Sequence, residues 1–429
     1  MSARRCVILL TSLLVSILAI APASAQYSFD WDVPWQGAVK DMLILEDFMT
    51  ELTNTSAVTD SFKVTLVKDM PLFWQATICE GPVCYPPSVT EHTFILGPGE
   101  STNLDFAITA AIDEGSGSSI ATVESLSDPG VTETNTFTIV TSGLDVLVVD
   151  ASEDPSYLAY YEAAVASYPG TQGSWDRDLL GDLSAADMAG FGAVVWYVGT
   201  NTSSLTVDDR VSLKDYVAGG GSLFLSGQNL ANDFCSPGSP SYTPESRAWF
   251  NDLLGADFQA ANAGVATVYG AADDPITAGL VLSLNGGDGA GNNLSPDVLT
   301  ALSNGKNSLT YNNGGPTAGV RGAYHEGRTF FVGFAFEGLA TGSQRDALMG
   351  DVLDWFLNRV APVGAEVQSP LLGQPSVTPN PFNPQTSLRF EIGGSQAAHT
   401  EVVIYDLRGR AVRNLFRGTL EPGPRTMNW

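Results

Sequence analysis

Between residues 145 and 227 the chain carries three short, unbroken apolar runs: Asp145-Val-Leu-Val-Val-Asp150, Ala193-Val-Val-Trp-Tyr-Val-Gly199 and Gly221-Ser-Leu-Phe-Leu-Ser-Gly227. A strand with one wet face alternates apolar and polar residues, so runs without alternation belong to strands covered on both faces, as in a parallel sheet flanked by helices. The segments between them have helical spacing. Residues 155–168 read as a helix with Asp154 as N-cap, Pro155 in the first turn and Pro169-Gly170 as a stop. Residues 184–189 give a short helix, and 206–218 a longer one closed by Gly219-Gly-Gly221. Such β-α alternation predicts right-handed crossovers and a central α/β three-layer sandwich over 144–360. Its later part is expected to hold a hairpin, 319–324 against 328–336 turning at His325-Glu-Gly327, and a last helix over 343–360.

The flanks read differently. Arg4 and Arg5 precede an apolar stretch that ends at Ala23-Ser24-Ala25, the layout of a signal peptide over 1–25, so the mature chain is expected to begin near Gln26 and to be exported. That stretch is short for a spanning helix, and the mature chain contains no other candidate span. Residues 27–142 alternate in short β-like runs such as Ser61-Phe-Lys-Val-Thr-Leu-Val67, with turns at Gly97-Pro-Gly99 and Asp128-Pro-Gly130. They predict an N-terminal β-sandwich, which resembles the Ig-like modules of bacterial exported proteins and is assigned spacing or adhesion. A linker is read over 361–376 and a last domain over 377–429.

The chain has 20 basic and 47 acidic residues, a net charge of −27. That balance repels phosphate backbones and anionic lipid, which argues against nucleic acid and membrane-surface partners. Of four cysteines, Cys6 lies in the signal peptide. Cys79 and Cys84 bracket a turn-like Glu-Gly-Pro-Val insert and are expected to form a local disulfide, leaving Cys235 as a buried or a reactive thiol.

At the C-terminus stand Pro379-Asn-Pro-Phe-Asn-Pro384, Ser387-Leu-Arg-Phe-Glu-Ile392 and Glu401-Val-Val-Ile-Tyr-Asp-Leu-Arg-Gly-Arg-Ala-Val412. This pattern resembles the Ig-like domain shared by flagellar hook-capping proteins and the sorting domains of type IX secretion. In that family two more strands follow a tryptophan, whereas here the sequence ends at Trp429, so the resemblance implies an incomplete C-terminal Ig-like β domain. It also implies secretion or cell-surface machinery as a partner, and a secreted or cell-surface location.

In the centre, Tyr216-Val-Ala-Gly-Gly-Gly-Ser-Leu-Phe-Leu-Ser-Gly-Gln-Asn229 is similar to the elbow of the class I glutamine amidotransferase-like fold, a flavodoxin-like layout. Laid on that family, Ser226 falls nearest the nucleophile, and Gly333-Phe-Ala-Phe-Glu-Gly338 falls on the strand that carries the histidine base. Glu337 stands where the histidine belongs, and Gln228 replaces an elbow glycine. A serine needs a base within hydrogen-bond reach. Only His92, His325 and His399 exist, and about eight strand residues at roughly 3.3 Å each place His325 some 25 Å from the Glu337 end.

The carboxyl edge of the predicted sheet, where ligands of open α/β sheets bind, collects polar side chains: Asp150, Asp176, Asn201, Gln228, Asn229 and Glu337. They suit a cation or sugar hydroxyls, with Trp175 as a stacking face; equally, Asp150 and Glu337 suit loop and helix capping. Asp273, Asp274 and Asp288 are separate carboxylates suited to Ca2+, without regular ligand spacing. The favoured reading is an exported protein whose amidotransferase-like domain binds or supports rather than catalyses, with no metal assigned. The alternatives are a hydrolase or amidotransferase relative using Ser226 with Glu337, and a calcium- or glycan-binding adhesin with a glycan or protein ligand.

Overall fold

The computed structural model describes residues 27–357, apart from 201, 202, 204 and 262, and further on 373–378, 386–392, 398–405, 411–421 and 423–428. The signal-peptide stretch 1–25, most of the linker and the Asn-Pro-Phe-Asn motif at 379–384 lie outside the described residues. The protein is multidomain and β-rich, and it separates into two compact units at residue 360.

The first unit opens with strands β1 (Phe29–Asp32), β2 (Gly37–Lys40), β3 (Leu45–Phe48), β4 (Glu51–Asn54) and β5 (Asp60–Asp69). They are followed by β6 (Gln75–Glu80), β7 (Val83–Cys84), β8 (Glu91–Leu96), β9 (Ser101–Thr109), β10 (Ser116–Ser125) and β11 (Thr132–Thr141). One sheet runs β1-β4-β9-β6-β7 with β3 also on β9, and the other runs β2-β11-β10-β5-β8. Period-two alternation sets which face is inside. In β5, Phe62, Val64 and Leu66 point into the core while Ser61, Lys63 and Thr65 are only part-buried. Phe106 of one sheet stacks on Phe137 of the other at 4.7 Å between ring centres. Cys79 and Cys84 are disulfide-bonded.

From β11 the chain passes directly into β12 (Val146–Asp150), followed by a 3-10 turn (Pro155–Tyr157) and α1 (Leu158–Ala166). Next come β13 (Gln172–Asp176), α2 (Arg177–Leu180), α3 (Ala185–Met188), β14 (Ala193–Tyr197), α4 (Val207–Ala218), β15 (Ser222–Ser226), α5 (Leu230–Cys235) and α6 (Pro244–Leu254). Five short strands continue the unit: β16 (Ala256–Ala260), β17 (Thr267–Gly270), β18 (Val281–Ser283), β19 (Val298–Ala301) and β20 (Gly305–Tyr311). The hairpin β21 (Thr317–Tyr324) and β22 (Gly327–Val332) then leads to α7 (Gly342–Phe356). Strands β13-β12-β14-β15-β22 pair in parallel, and β21, β20, β17 and β18 extend the sheet antiparallel.

Every residue of β12, β14 and β15 is buried, which is why their sequences show no alternation. Leu147, Val149, Val194, Trp196, Leu223 and Leu225 face α4, α5 and α6. Val146, Val148, Ala193, Val195 and Phe224 face α1 and α7. Caps fix the helix starts: Thr206 and Asp209 form a reciprocal capping box at α4, and Thr243 accepts from the Ser246 amide at α6. Among the described residues no helix is long and apolar enough to cross a membrane.

The sandwich is packed against this sheet rather than strung beside it. Val140 and part-buried Val39 belong to the same apolar cluster as Trp175, Leu180 and Leu183. Trp175 is 2% exposed and its indole N–H donates to the Gly181 carbonyl at 2.8 Å, so it fills the seam and offers no stacking face, contrary to expectation. Gly37 is required there, because a Cβ on it would stand 2.5 Å from Leu180 Cβ and 2.6 Å from Trp175 Cη2.

The second unit contains β23 (Gly373–Thr378), β24 (Ser387–Ile392), β25 (Ala398–Tyr405), β26 (Ala411–Leu420) and β27 (Gly423–Asn428). They form a three-stranded sheet, β23-β24-β27, and a separate pair, β25-β26. Strand β23 begins inside the stretch read as linker: proline and glycine mark the segment as irregular, but Gly373 and Ser376 still pair with β24, on either side of a register shift.

Gly37→Ala is expected to destabilise the first unit by about 1–3 kcal/mol, the usual cost of overpacking. Urea denaturation should show the midpoint falling, and an unchanged midpoint would mean that the seam is loose.

Candidate functional site

At the carboxyl edge, Ser226 ends β15 and Glu337 lies in a 3-10 turn (Phe336–Gly338) beyond β22. The parallel pairing sets Ser226 beside Val332, which brings these two distant segments together. Both side chains are buried, at 1% and 0% exposure. They are joined through Tyr161 of α1, whose hydroxyl donates to Glu337 Oε2 at 2.6 Å and lies 3.1 Å from Ser226 Oγ. Ser226 Oγ donates to the Phe334 carbonyl at 3.1 Å and accepts from the Phe336 amide at 3.1 Å. Asn292 Nδ2 donates to Glu337 Oε1 at 2.7 Å. Burial raises the Glu337 pKa against the opposing pull of Tyr161 and Asn292, and the same burial, reinforced by Glu337, holds the Tyr161 phenol protonated. The Tyr161 ring lies flat on Tyr197, with centroids 3.8 Å apart.

Gln228 is also turned inward. Its amide donates to the Asn292 carbonyl at 2.5 Å and accepts from the Leu294 and Ser295 amides, both at 2.8 Å, so it clamps the Gly/Asn-rich loop to the sheet. Asn293 closes the same loop by donating to the Leu284 and Ala335 carbonyls and accepting from the Ala335 amide. Where β15 turns into α5 the non-glycine residue with left-handed backbone is Asn229, at φ 62°. In a nucleophile elbow that strained place carries the attacking group. Here it carries a carboxamide, and Asn229 Oδ1 accepts from Asn232 Nδ2 at 3.0 Å.

The remaining carboxylates expected at this edge work locally. Asp150 accepts from the Ser152 amide and hydroxyl at 2.9 and 2.7 Å, and burial raises its pKa. Asp176 caps α2, accepting from the Asp178 and Leu179 amides. Asn201 lies outside the described residues. Asp274 is held by Arg321 at 2.6 Å and by Ser308, and Asp288 pairs with Arg345 at 2.7 Å. Asp274 and Asp288 thus answer arginines. Among the described residues no three His, Cys, Asp or Glu side chains gather as a metal site.

Among the described residues of the first unit, no imidazole is hydrogen-bonded to Ser226, whose partners are Tyr161, Phe334 and Phe336. His325 sits in the turn before Gly327, beyond the Ser222–Arg328 pair, at the opposite end of the strands from the Ser226–Val332 pair. His92 is 2.7 Å from Glu80 in the sandwich, and His399 is in β25 of the second unit. Cys235 is a buried free thiol whose pKa is pushed up to about 12, by burial first and then by Asp257, a state without nucleophilic thiolate at neutral pH.

Sequence reasoning missed Tyr161, Asn292 and Asp297. Neither Tyr161, inside the 155–168 helix, nor Asn292 carries a local signal, since their partner Glu337 lies 176 and 45 residues away. Asp297 is fully buried under the start of α5, and its Oδ2 accepts from the Ala231 and Asn232 amides at 2.8 and 3.3 Å. Burial lifts its pKa to about 8 against the pull of those two amides.

No family model and no curated protein matches the chain. Among solved structures it is similar to the N-terminal domain of PorA, at 16% identity over 25% of this chain and 84% of that one, with a TM-score of 0.20. It is also similar to the CARDB domain of a Pyrococcus furiosus protein, at 20% identity over 27% and 87%, TM-score 0.18. A third likeness is to an exo-beta-1,4-mannosidase from Opitutaceae bacterium strain TAV5, at 14% identity over 50% of this chain and 36% of that one, TM-score 0.32.

Asp297 makes stability depend on pH. Its folded pKa is raised from 3.8 to about 8, so the folded state holds the extra proton in that window and stability falls as pH rises through it. Asp297→Asn, which keeps an acceptor for the two amides, should flatten that part of the decline; urea midpoints of both proteins between pH 5 and 8 decide it, parallel slopes counting against the assignment.

Proposed function

We propose that this chain is an exported surface or secreted protein whose central domain, an α/β three-layer sandwich laid out like the class I amidotransferases, binds or supports and does not catalyse. The second unit is the sorting or attachment module, and secretion or cell-surface machinery is its partner. The N-terminal sandwich spaces the central domain or serves adhesion. The leader-like pattern at 1–25, the acidic balance and the Asn-Pro-Phe-Asn and Ile-Tyr-Asp motifs of the last 53 residues support this reading.

One observation carries the non-catalytic assignment. The Ser226 hydroxyl is buried and spends its proton on the Phe334 carbonyl. A general base must lie within about 2.6–3.2 Å of the proton it removes. Here Ser226 donates to a backbone carbonyl and not to Glu337, which accepts from Tyr161 at one oxygen and from Asn292 at the other. These four side chains and Gln228 fasten α1, β15, the 292–295 loop and the turn beyond β22 to one another, leaving the strand-end loops as the binding surface.

Ser226→Ala should leave turnover of p-nitrophenyl esters and of glutamine at the buffer level, as in the parent, and should lower stability by about 1–2 kcal/mol through the lost hydrogen bonds. Turnover in the parent that disappears in the variant would replace this reading with the hydrolase one.

A further inference from the structure

Three turns crowd one end of the N-terminal sandwich, and each breaks the same rule. In the turn Asp41-Met-Leu-Ile44 the Ile44 amide donates to the Asp41 carbonyl at 3.2 Å, with Leu43 at φ 66°. In Pro71-Leu-Phe-Trp74 the Trp74 amide donates to the Pro71 carbonyl at 3.1 Å, with Phe73 at φ 76°. Around Ile112 the Asp113 amide donates to the Ala111 carbonyl at 2.9 Å, a γ-turn with φ 72°. The third residue of the first two turns is where glycine or asparagine belongs, and a γ-turn of this hand is strained even before a β-branched side chain is placed on it.

A bulky residue is tolerated in such a conformation when its burial compensates. These three are exposed: Leu43 71%, Phe73 57% and Ile112 64%. Beside them Ile44, Leu45 and Leu72 are 51%, 57% and 74% exposed. The turns are one surface, since Leu45 and Gln75 both pair with Thr109 at the end of β9, the Leu43 amide donates to the Ala110 carbonyl at 2.9 Å, and the Trp74 indole donates to the Asp113 carbonyl at 3.0 Å. The backbone therefore accepts strain to hold apolar side chains outward from a fixed frame, which is how a contact surface is built and is of no use to the isolated fold.

The charge around the patch selects its occupant. Asp41, Asp69, Asp113 and Glu114 stand exposed at its rim. The neighbouring cations are engaged: Lys40 with Glu46 at 2.6 Å, and Lys68 with the Pro87 carbonyl. An acidic rim repels anionic lipid and an identical rim on a second copy, and it complements basic residues. We propose that this tip docks a protein surface that presents apolar side chains flanked by lysine or arginine. The proposal goes beyond the reading of the central domain and is independent of it, because a hydrolase would carry the same tip.

The test uses the full chain and a fluorescently labelled amphipathic helical peptide of leucine and lysine as probe, with a leucine–glutamate peptide as control. The parent should bind the basic peptide at least tenfold more tightly than the acidic one. The combined variant Leu43→Asn, Phe73→Asn and Ile112→Asn, in which asparagine suits the left-handed backbone, should bind it at least tenfold more weakly and melt no lower than the parent. Asp113→Asn with Glu114→Gln should weaken binding while leaving the Tm in place. Unchanged affinity in the asparagine variant would overturn the proposal, as would a fall in its Tm, which would make the three side chains part of the fold. Patch-dependent binding to vesicles of phosphatidylcholine or phosphatidylglycerol would assign the tip to a membrane instead, and a dimer of the parent dissolved by the variant would assign it to a second copy.

Discussion

A sheet covered on both faces has nowhere to put a polar side chain except its ends, and even there each group needs an internal partner. That constraint shapes the carboxyl edge. Glu337 and Ser226 are sealed beneath α1 and the 292–295 loop, where an unpartnered carboxylate would cost several kcal/mol. Tyr161 and Asn292 supply one donor to each Glu337 oxygen, and the Phe336 amide supplies one to Ser226. Burial raises the Glu337 pKa, and the hydrogen bonds from Tyr161 and Asn292 pull against that rise. The polar cluster therefore selects one register of helix against sheet, because a slip of α1 by a single residue would leave Glu337 without Tyr161.

The same network explains why chemistry and structure compete for this place. A nucleophile must be under-coordinated enough to attack and a base free enough to accept, whereas the hydrogen-bonding capacity of Ser226 and Glu337 is largely taken up by the fold. At the tight turn that follows, Asn229 occupies the strained left-handed position, with its amide oxygen engaged by Asn232. Gln228, two residues beyond Ser226, anchors a loop through three hydrogen bonds. Around β15, then, the turn holds the 292–295 loop through Gln228, and Asn229 is tied to Asn232 in α5.

How much of this could be read from residues alone follows from the range of each interaction. The β12, β14 and β15 runs were legible because burial on two faces leaves a continuous apolar signature, and the helices between them because their caps are local. The sandwich strands β5, β9, β10 and β11 were legible by alternation. Strands β16 to β19 were not, being only three to five residues long and part-exposed, without enough period to separate from loop. At the site, Ser226 and Glu337 stood out through family-like motifs, but the residue joining them did not: Tyr161 looks like any aromatic on a helix face, and its partners lie 65 and 176 residues away. Trp175 misled for a related reason. A tryptophan one residue before the end of a strand reads alike whether it faces a ligand or a neighbouring domain, and only the close approach at Gly37 decides.

That seam also bears on the exposed end of the sandwich. Strands β5, β9 and β11 end, and β10 begins, on the same side, so the three strained turns sit beside the point where β11 leads into β12. The Ser142 hydroxyl donates to Asp41 in the first turn, and Gly143 lies so close to the Glu114 carboxylate of the third that a Cβ there would overlap it. Left-handed backbone at a bulky residue persists only when its surroundings over-determine it. The chain leading into β12 braces two of the turns, while Trp74, held by the Asp113 carbonyl, braces the remaining one. The packing of the sandwich against the sheet and the presentation of the apolar tip are thus properties of one compact unit.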